Sequence, residues 1–324
     1  MLIRTSLVFC LLFLFLQVVC AETSFQVREK VVYSTVGDRD LLLDAFIPDT
    51  EGTHPAILVV HGGAWRSGNR KQLRFYATAL AERGFVCFAI DYRLAPKHKF
   101  PAQIEDCRAA VRWIRENAAE YKVNPDRLGA IGYSAGGHLV SLLATTGQPA
   151  NVENGHVDTR IQVCAAGGAP TDFRWFPDNG KWAEFWMGGD LTSQREKFEA
   201  ASSAAFVDAG DAPVFFFNGS ADRLVPQAWT KACYFALKSA GVKTEFYSID
   251  KADHMQAAAH SKALEKAYDF LEFELVNAGD ASGKGTGRPA KRADLPTEEP
   301  AAGAEEPTEE PTEENEEKKP KATK

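Results

Sequence analysis

Cysteine is sparse in this 324-residue chain: there are six, and Cys10 and Cys20 lie close to the start. The other four, Cys87, Cys107, Cys164 and Cys233, are too few for a disulfide framework. No C-x-x-C or Cys/His cluster occurs, so a structural zinc has no ligand set. Cys87 and Cys164 stand inside apolar runs and read as small buried hydrophobes. Long hydrophobic stretches are also missing. The N-terminal apolar run, Leu7–Leu16, has ten residues, short of the roughly 18 that a spanning helix needs. An excess of basic residues is absent too: 37 Lys and Arg against 44 Asp and Glu leave a net charge of −7, with the basic residues scattered. That excludes the electrostatic footprint of a nucleic-acid binder. There is no repeat of solenoid period. With 45% hydrophobic and 25% charged residues, the chain is neither collagen, coiled coil nor wholly disordered.

The two ends differ from the middle. Arg4, the apolar run, and then Gln17, Val18, Val19, Cys20 and Ala21 before polar sequence have the layout of a secretory signal peptide over 1–21. Export to the periplasm or exterior is the expectation, with no integral membrane span after cleavage. Val19 is bulkier than the Gly or Ala that usually precedes a lipidated cysteine, which disfavours a lipoprotein. Residues 280–324 are rich in Pro, Thr and Glu, with Pro-Thr-Glu-Glu at 296–299, 307–310 and 311–314. Such a segment has almost nothing apolar to offset the entropy of ordering, so it is expected to be a disordered tail. Removing 280–324 is expected to leave the thermal midpoint unchanged; a marked drop in a melting experiment would mean that the tail docks on the body.

Residues 22–279 are expected to form one α/β domain. Val27–Thr35 and Leu41–Ile47 read as an antiparallel pair joined at Gly37-Asp38-Arg39. Apolar runs follow at Ala56–Val60, Phe85–Ile90, Leu128–Ile131, Ile161–Ala166, Val214–Phe217 and Thr244–Ile249. Most are continuous rather than alternating, as in strands covered on both faces. Segments of helical length separate them, at Lys71–Arg83, Ala102–Tyr121, Ala135–Thr146, Gln227–Ala240 and Gln256–Val276. Strand and helix in alternation predict a mostly parallel central sheet with helices on both faces. Ligands of such sheets sit at the carboxyl ends of the strands, so the residues after each run are the ones to search.

After Leu128–Ile131 comes Gly132-Tyr133-Ser134-Ala135-Gly136-Gly137, a G-x-S-x-G pattern between a strand and a helix. Small residues there let a strained turn present Ser134 as a nucleophile, and the free N–H of Ala135 at the helix start points at any oxyanion. After Ala56–Val60 comes His61-Gly62-Gly63-Ala64-Trp65. Its glycines leave backbone N–H groups open, and Gly63 and Ala64 join Ala135 as expected oxyanion donors. His61 comes too early in the chain to be the base and reads as a loop-holding residue. Val214–Phe217 leads into Asn218-Gly219-Ser220-Ala221-Asp222, and Thr244–Ile249 leads through Asp250 and Asp253 to His254. A histidine so placed takes the serine proton, and an aspartate fixes its tautomer. Asp222 lies at the end of a separate strand, whereas Asp250 and Asp253 read as shaping the histidine loop. His138 is expected to pack, His260 to lie inside the terminal helix, and His54, His98 and His156 to be surface residues. Trp175, Trp182 and Trp186, with Phe173, Phe176 and Phe185, form an aromatic cluster after Ile161–Ala166. Trp65, Trp182 and Trp186 are candidate walls of a substrate cleft; the alternative is a small core of their own.

The order Ser134, Asp222, His254, with His61–Trp65 upstream, is that of the α/β-hydrolases. Asp91-Tyr92-Arg93-Leu94-Ala95-Pro96, Phe100-Pro101-Ala102, Glu105-Asp106-Cys107, Val111-Arg112-Trp113 and Asn124-Pro125-Asp126-Arg127 resemble the hormone-sensitive-lipase-like esterases. Their secreted bacterial branch, with acetyl-xylan and feruloyl esterase-like enzymes, is the most similar. The resemblance implies an α/β-hydrolase fold over about 30–275, a serine triad and no cofactor. It also implies that Asp91, Tyr92 and Arg93 support the loop beneath the oxyanion hole. Between Ala21 and Val31 there is no room for the helical cap of many lipase-like relatives. The implied substrate is a small-molecule or polysaccharide ester. A serine peptidase of the same fold and a non-catalytic binding module stand as alternatives, and the first lacks a gating domain.

Overall fold

A computed structural model describes residues 24–150, 157–175 and 181–277, with the side chains of 181–183 and 277 excepted. The expected signal peptide, the whole of the expected tail, His156 and Phe176 therefore lie outside the described residues. Eight strands form one sheet: β1 (Phe25–Val36), β2 (Arg39–Pro48), β3 (His54–Val60), β4 (Val86–Ile90), β5 (Val123–Tyr133), β6 (Val163–Gly167), β7 (Val214–Gly219) and β8 (Thr244–Ile249). Their order is β1-β2-β4-β3-β5-β6-β7-β8. β1 and β2 form an antiparallel hairpin closed at Val36↔Arg39, and β2 also runs antiparallel to β4. Every pairing from β4 through β3 to β8 is parallel.

The helices are α1 (Arg74–Glu82), α2 (Ala102–Glu116), α3 (Ala135–Thr146), α4 (Lys181–Met187), α5 (Arg195–Ala200), α6 (Gln227–Ser239), α7 (His254–Ala258) and α8 (Ser261–Asn277). The continuous apolar runs have a simple consequence. In β3, Ala56, Leu58 and Val60 feed one core cluster with residues of α2, α3 and α6, while Ile57 and Val59 feed a second with residues of α1 and α8. Each residue of Ala56–Val60 is buried, because the pleat sends neighbours to opposite faces and helices cover both. The fold is an α/β-hydrolase sheet.

One expected element is divided. The helix read over Gln256–Val276 is two, α7 and α8, broken at Ala259–His260. The break is satisfied locally: the Tyr76 hydroxyl donates to the Ala258 carbonyl at 2.6 Å, and the His260 ring accepts from the Ala263 N–H at 3.2 Å. His260 thus caps a helix rather than lying inside one.

Strand order also places the site. β3 pairs with β4 on one side and β5 on the other, so crossovers leave in opposite directions around β3. Val60 and Gly132 are register partners, which brings the carboxyl ends of β3 and β5 side by side. This is a topological switch point, where open α/β sheets form a crevice.

Candidate active site

Ser134 occupies the turn between β5 and α3 with φ 56° and ψ −121°, a backbone conformation that L-residues rarely adopt. The turn is over-determined by its surroundings. The Ser134 N–H donates to the Gly167 carbonyl at 2.8 Å, and a Cβ on Gly136 would lie 1.9 Å from the Val60 carbonyl oxygen. Only glycine permits that approach of α3 to β3. The Ser134 hydroxyl has no hydrogen-bond partner among the described residues. Apo sites often leave such bonds unformed.

Asp222 and His254 arrive from β7 and β8. The His254 Nδ1–H donates to Asp222 Oδ2 at 2.7 Å, and the Asp222 side chain is fully buried. Its other oxygen, Oδ1, accepts from the N–H groups of Leu224 at 2.9 Å and Val225 at 2.8 Å. Both carboxylate oxygens thereby have donors. Asp253 is used elsewhere: its side chain caps α7 by accepting from Met255 and Gln256 N–H, in a capping box closed by Gln256. Asp250 is exposed beside Lys251. The Tyr133 hydroxyl donates to the His254 carbonyl at 2.6 Å, tying the serine turn to the histidine loop.

The loop after β3 supplies backbone donors. Gly63 has φ 105°, and a Cβ there would lie 2.1 Å from the Ser67 carbonyl oxygen, so the turn needs glycine. Its carbonyl is taken by the N–H groups of Arg66 and Ser67. Among the described residues the N–H groups of Gly63, Ala64 and Ala135 have no protein acceptor. His61 is buried beneath this loop, stacked on Tyr92 at 4.1 Å, and its Nδ1 bonds the Gly62 carbonyl at 2.7 Å. Burial pushes its pKa down to about 4, so the ring is neutral at ordinary pH. The Tyr92 hydroxyl donates to the His61 carbonyl at 3.0 Å, and Asp91 accepts from Arg70. Arg93 is held by Asp106 at 2.9 Å. His54 is buried at the head of β3 and His98 is half-buried, so neither is a surface residue.

Two cavities flank Ser134 and His254. One, of about 330 Å³, is apolar, with Trp65, Phe173, Val225 and Trp229 among its walls. The other, of about 350 Å³, is reached past Gly62, Gly63, Ser67, Gln72 and Tyr133. Both are bordered by Ala64, Arg66, Ser134, Leu224 and His254. Among the described residues no group of three or more His, Cys, Asp or Glu is placed to hold a metal ion, and no helix is long and apolar enough to cross a membrane.

The aromatic cluster needs correction. Trp186 is fully buried and lines neither cavity. It lies behind Trp65, stacked face to face at 3.7 Å, with Phe100 and Phe173 against its edges and its Nε1–H bonded to Gln103 at 3.1 Å. Trp65 itself reaches the apolar cavity while its Nε1–H donates to His138 Nδ1 at 3.1 Å; His138 is buried and bonds the Ala201 carbonyl through Nε2. Trp182 belongs to α4, but its side chain lies outside the described residues. Trp175 is exposed and lines neither cavity. Trp186→Ala is accordingly expected to cost about 3–5 kcal/mol of stability and to impair all substrates alike. Unchanged denaturant unfolding with a selective rise in KM for bulky esters would contradict that core role. Sequence reasoning missed Trp229, Leu224 and Arg66 as cavity residues. Leu224 adjoins Asp222 and Arg66 adjoins Trp65, so proximity to the motifs was the available signal.

The family model BD-FAE matches residues 43–237, a span holding the serine turn and Asp222. The chain belongs to the BD-FAE family. This BD-FAE chain is 31% identical over 251 residues to the esterase LipQ of Mycobacterium tuberculosis, covering 72% of this chain and 60% of the relative. It is 32% identical over 187 residues to the probable carboxylic ester hydrolase LipM of the same organism, covering 55% of this chain and 43% of the relative. It thus spans less than two thirds of either relative. An esterase structure from Thermogutta terrifontis matches with TM-score 0.64 and 27% identity, covering 82% of this chain and 98% of that one. A truncated carbohydrate esterase from gut microbiota matches with TM-score 0.70 and 23% identity over 79% of this chain and 98% of that one, a likeness of fold.

Proposed function

We propose that the chain is a serine carboxylic ester hydrolase working through an acyl-enzyme, with Ser134, His254 and Asp222 as nucleophile, base and orienting acid. The observation that carries this is the 2.7 Å bond from His254 to the buried Asp222, on a histidine that shares its cavities with the strained Ser134. Ser134 Oγ attacks the ester carbonyl as His254 Nε2 takes its proton. The oxyanion is received by the N–H groups of Gly63, Ala64 and Ala135. His254 then protonates the departing alkoxide as the C–O bond breaks. Water attacks the acyl-enzyme with His254 again as base, releasing the acid and restoring Ser134.

The proposed substrates are small or carbohydrate-linked esters of the acetyl or feruloyl type. An apolar cavity of about 330 Å³ is close to the lower end, about 300 Å³, of pockets that hold small molecules, and so favours short or flat acyl groups. Ser67 and Gln72 in the second cavity offer hydrogen bonds to a sugar alcohol. The Thermogutta terrifontis esterase has been solved with butyrate and with propionate bound, in line with a short acyl group. The proposed place of work is the periplasm or exterior, and exported protein beginning near Glu22 would support it.

Assays with 4-nitrophenyl acetate, acetylated xylan, methyl ferulate and a chromogenic dipeptidyl amide test the reading. Turnover of the esters without the amide is expected. Amide cleavage at comparable kcat/KM, or no ester turnover by folded protein, would contradict it.

A further inference from the structure

We infer that Arg66 makes this site selective for esters that carry a carboxylate close to the scissile bond, an inference that rests on the ester-hydrolase reading above. Arg66 borders both cavities beside Ser134 and His254. Among the described residues no Asp or Glu side chain lines either one. Among the described residues Arg66 is exposed and makes no ion pair, although other arginines around the site, Arg70 and Arg93, are paired with aspartates.

Its position is also restrained. The Arg66 N–H is held by the Gly63 carbonyl at 3.1 Å, the preceding Trp65 is locked on Trp186, and the guanidinium lies over the Phe185 ring at 5.4 Å. A guanidinium placed over a ring keeps N–H groups with which it can bind a carboxylate through two parallel hydrogen bonds. An anchored cation beside an apolar cavity loses less side-chain freedom on binding than a mobile surface arginine does. Because Arg66 stands where the cavities meet, it is within the surroundings of both the acyl and the alcohol parts of a bound ester.

Matched ester pairs read the effect as a ratio of kcat/KM, anionic over neutral. For the alcohol side the pair is 4-acetoxybenzoate and 4-acetoxybenzamide; for the acyl side it is monomethyl terephthalate and methyl 4-carbamoylbenzoate. In one of the two pairs Arg66→Gln is expected to lower the ratio by roughly five- to tenfold, the range of an exposed ion pair strengthened by charged hydrogen bonds. Arg66→Glu lowers it further, and Arg66→Lys restores it in part. Raising the salt from low to high ionic strength lowers the wild-type ratio and leaves that of Arg66→Gln unmoved. The affected pair reports which side of the ester bears the charge. Ratios unaltered by all three substitutions in both pairs, with wild-type turnover intact, would overturn the role of Arg66 and leave the esterase reading standing. Absence of turnover of all four esters and of 4-nitrophenyl acetate by folded wild type would overturn both.

Discussion

Ser134→Ala is expected to lower ester turnover on the order of 10⁶-fold, leaving only what the oxyanion donors and substrate binding supply. The size follows from the mechanism. Without the hydroxyl no acyl-enzyme forms, and His254 has no proton to take. The Gly63, Ala64 and Ala135 donors remain, since they belong to the backbone and depend on Gly63 and Gly136 rather than on the serine side chain. The substitution also relieves nothing in the turn, because alanine meets the same unfavourable φ of 56°. Stability is therefore expected to change little, and circular dichroism beside the kinetics separates lost chemistry from lost fold. Turnover near that of wild type in a folded Ser134→Ala protein would end the covalent mechanism.

Asp222→Asn is expected to reduce kcat about 10⁴-fold, and the geometry says why a nearly isosteric change does so much. Asp222 Oδ1 accepts two backbone N–H groups, from Leu224 and Val225. An asparagine must keep its carbonyl oxygen there, since an NH₂ group would face two donors. Its NH₂ then points at His254 Nδ1, which becomes an acceptor, and the ring proton moves to Nε2. A histidine in that tautomer cannot take the Ser134 proton. Asp253→Asn is expected to have a small effect, because asparagine caps a helix nearly as well and Asp253 serves only the first turn of α7. Equal losses of kcat for the two variants would contradict the assignment of Asp222.

Much of this site was legible in the chain because its parts are local. The G-x-S-x-G turn, the His61–Trp65 loop and the residues after Val214–Phe217 each declare themselves within a few positions, and the sheet brings their strand ends together. The core strands were legible for a related reason: Ile57 and Leu58 are both apolar because both faces of β3 are covered. What local pattern does not encode is which side of an aromatic faces a cavity. Trp186 is committed to the core by Gln103 and Phe100, more than eighty residues upstream, and its own neighbours in sequence carry no trace of that. The break between α7 and α8 escaped for the same reason, since the Ala258 carbonyl is satisfied by Tyr76, from a distant helix.

The central claim is that Ser134 becomes covalently acylated, and the most direct measurement is the mass of the protein after reaction with an organophosphorus ester, followed by peptide mapping. One adduct per chain on the peptide containing Ser134 is predicted, absent from Ser134→Ala and greatly slowed in Asp222→Asn. Sustained ester turnover with Ser134 unmodified, or a stoichiometric adduct on another residue, would contradict it.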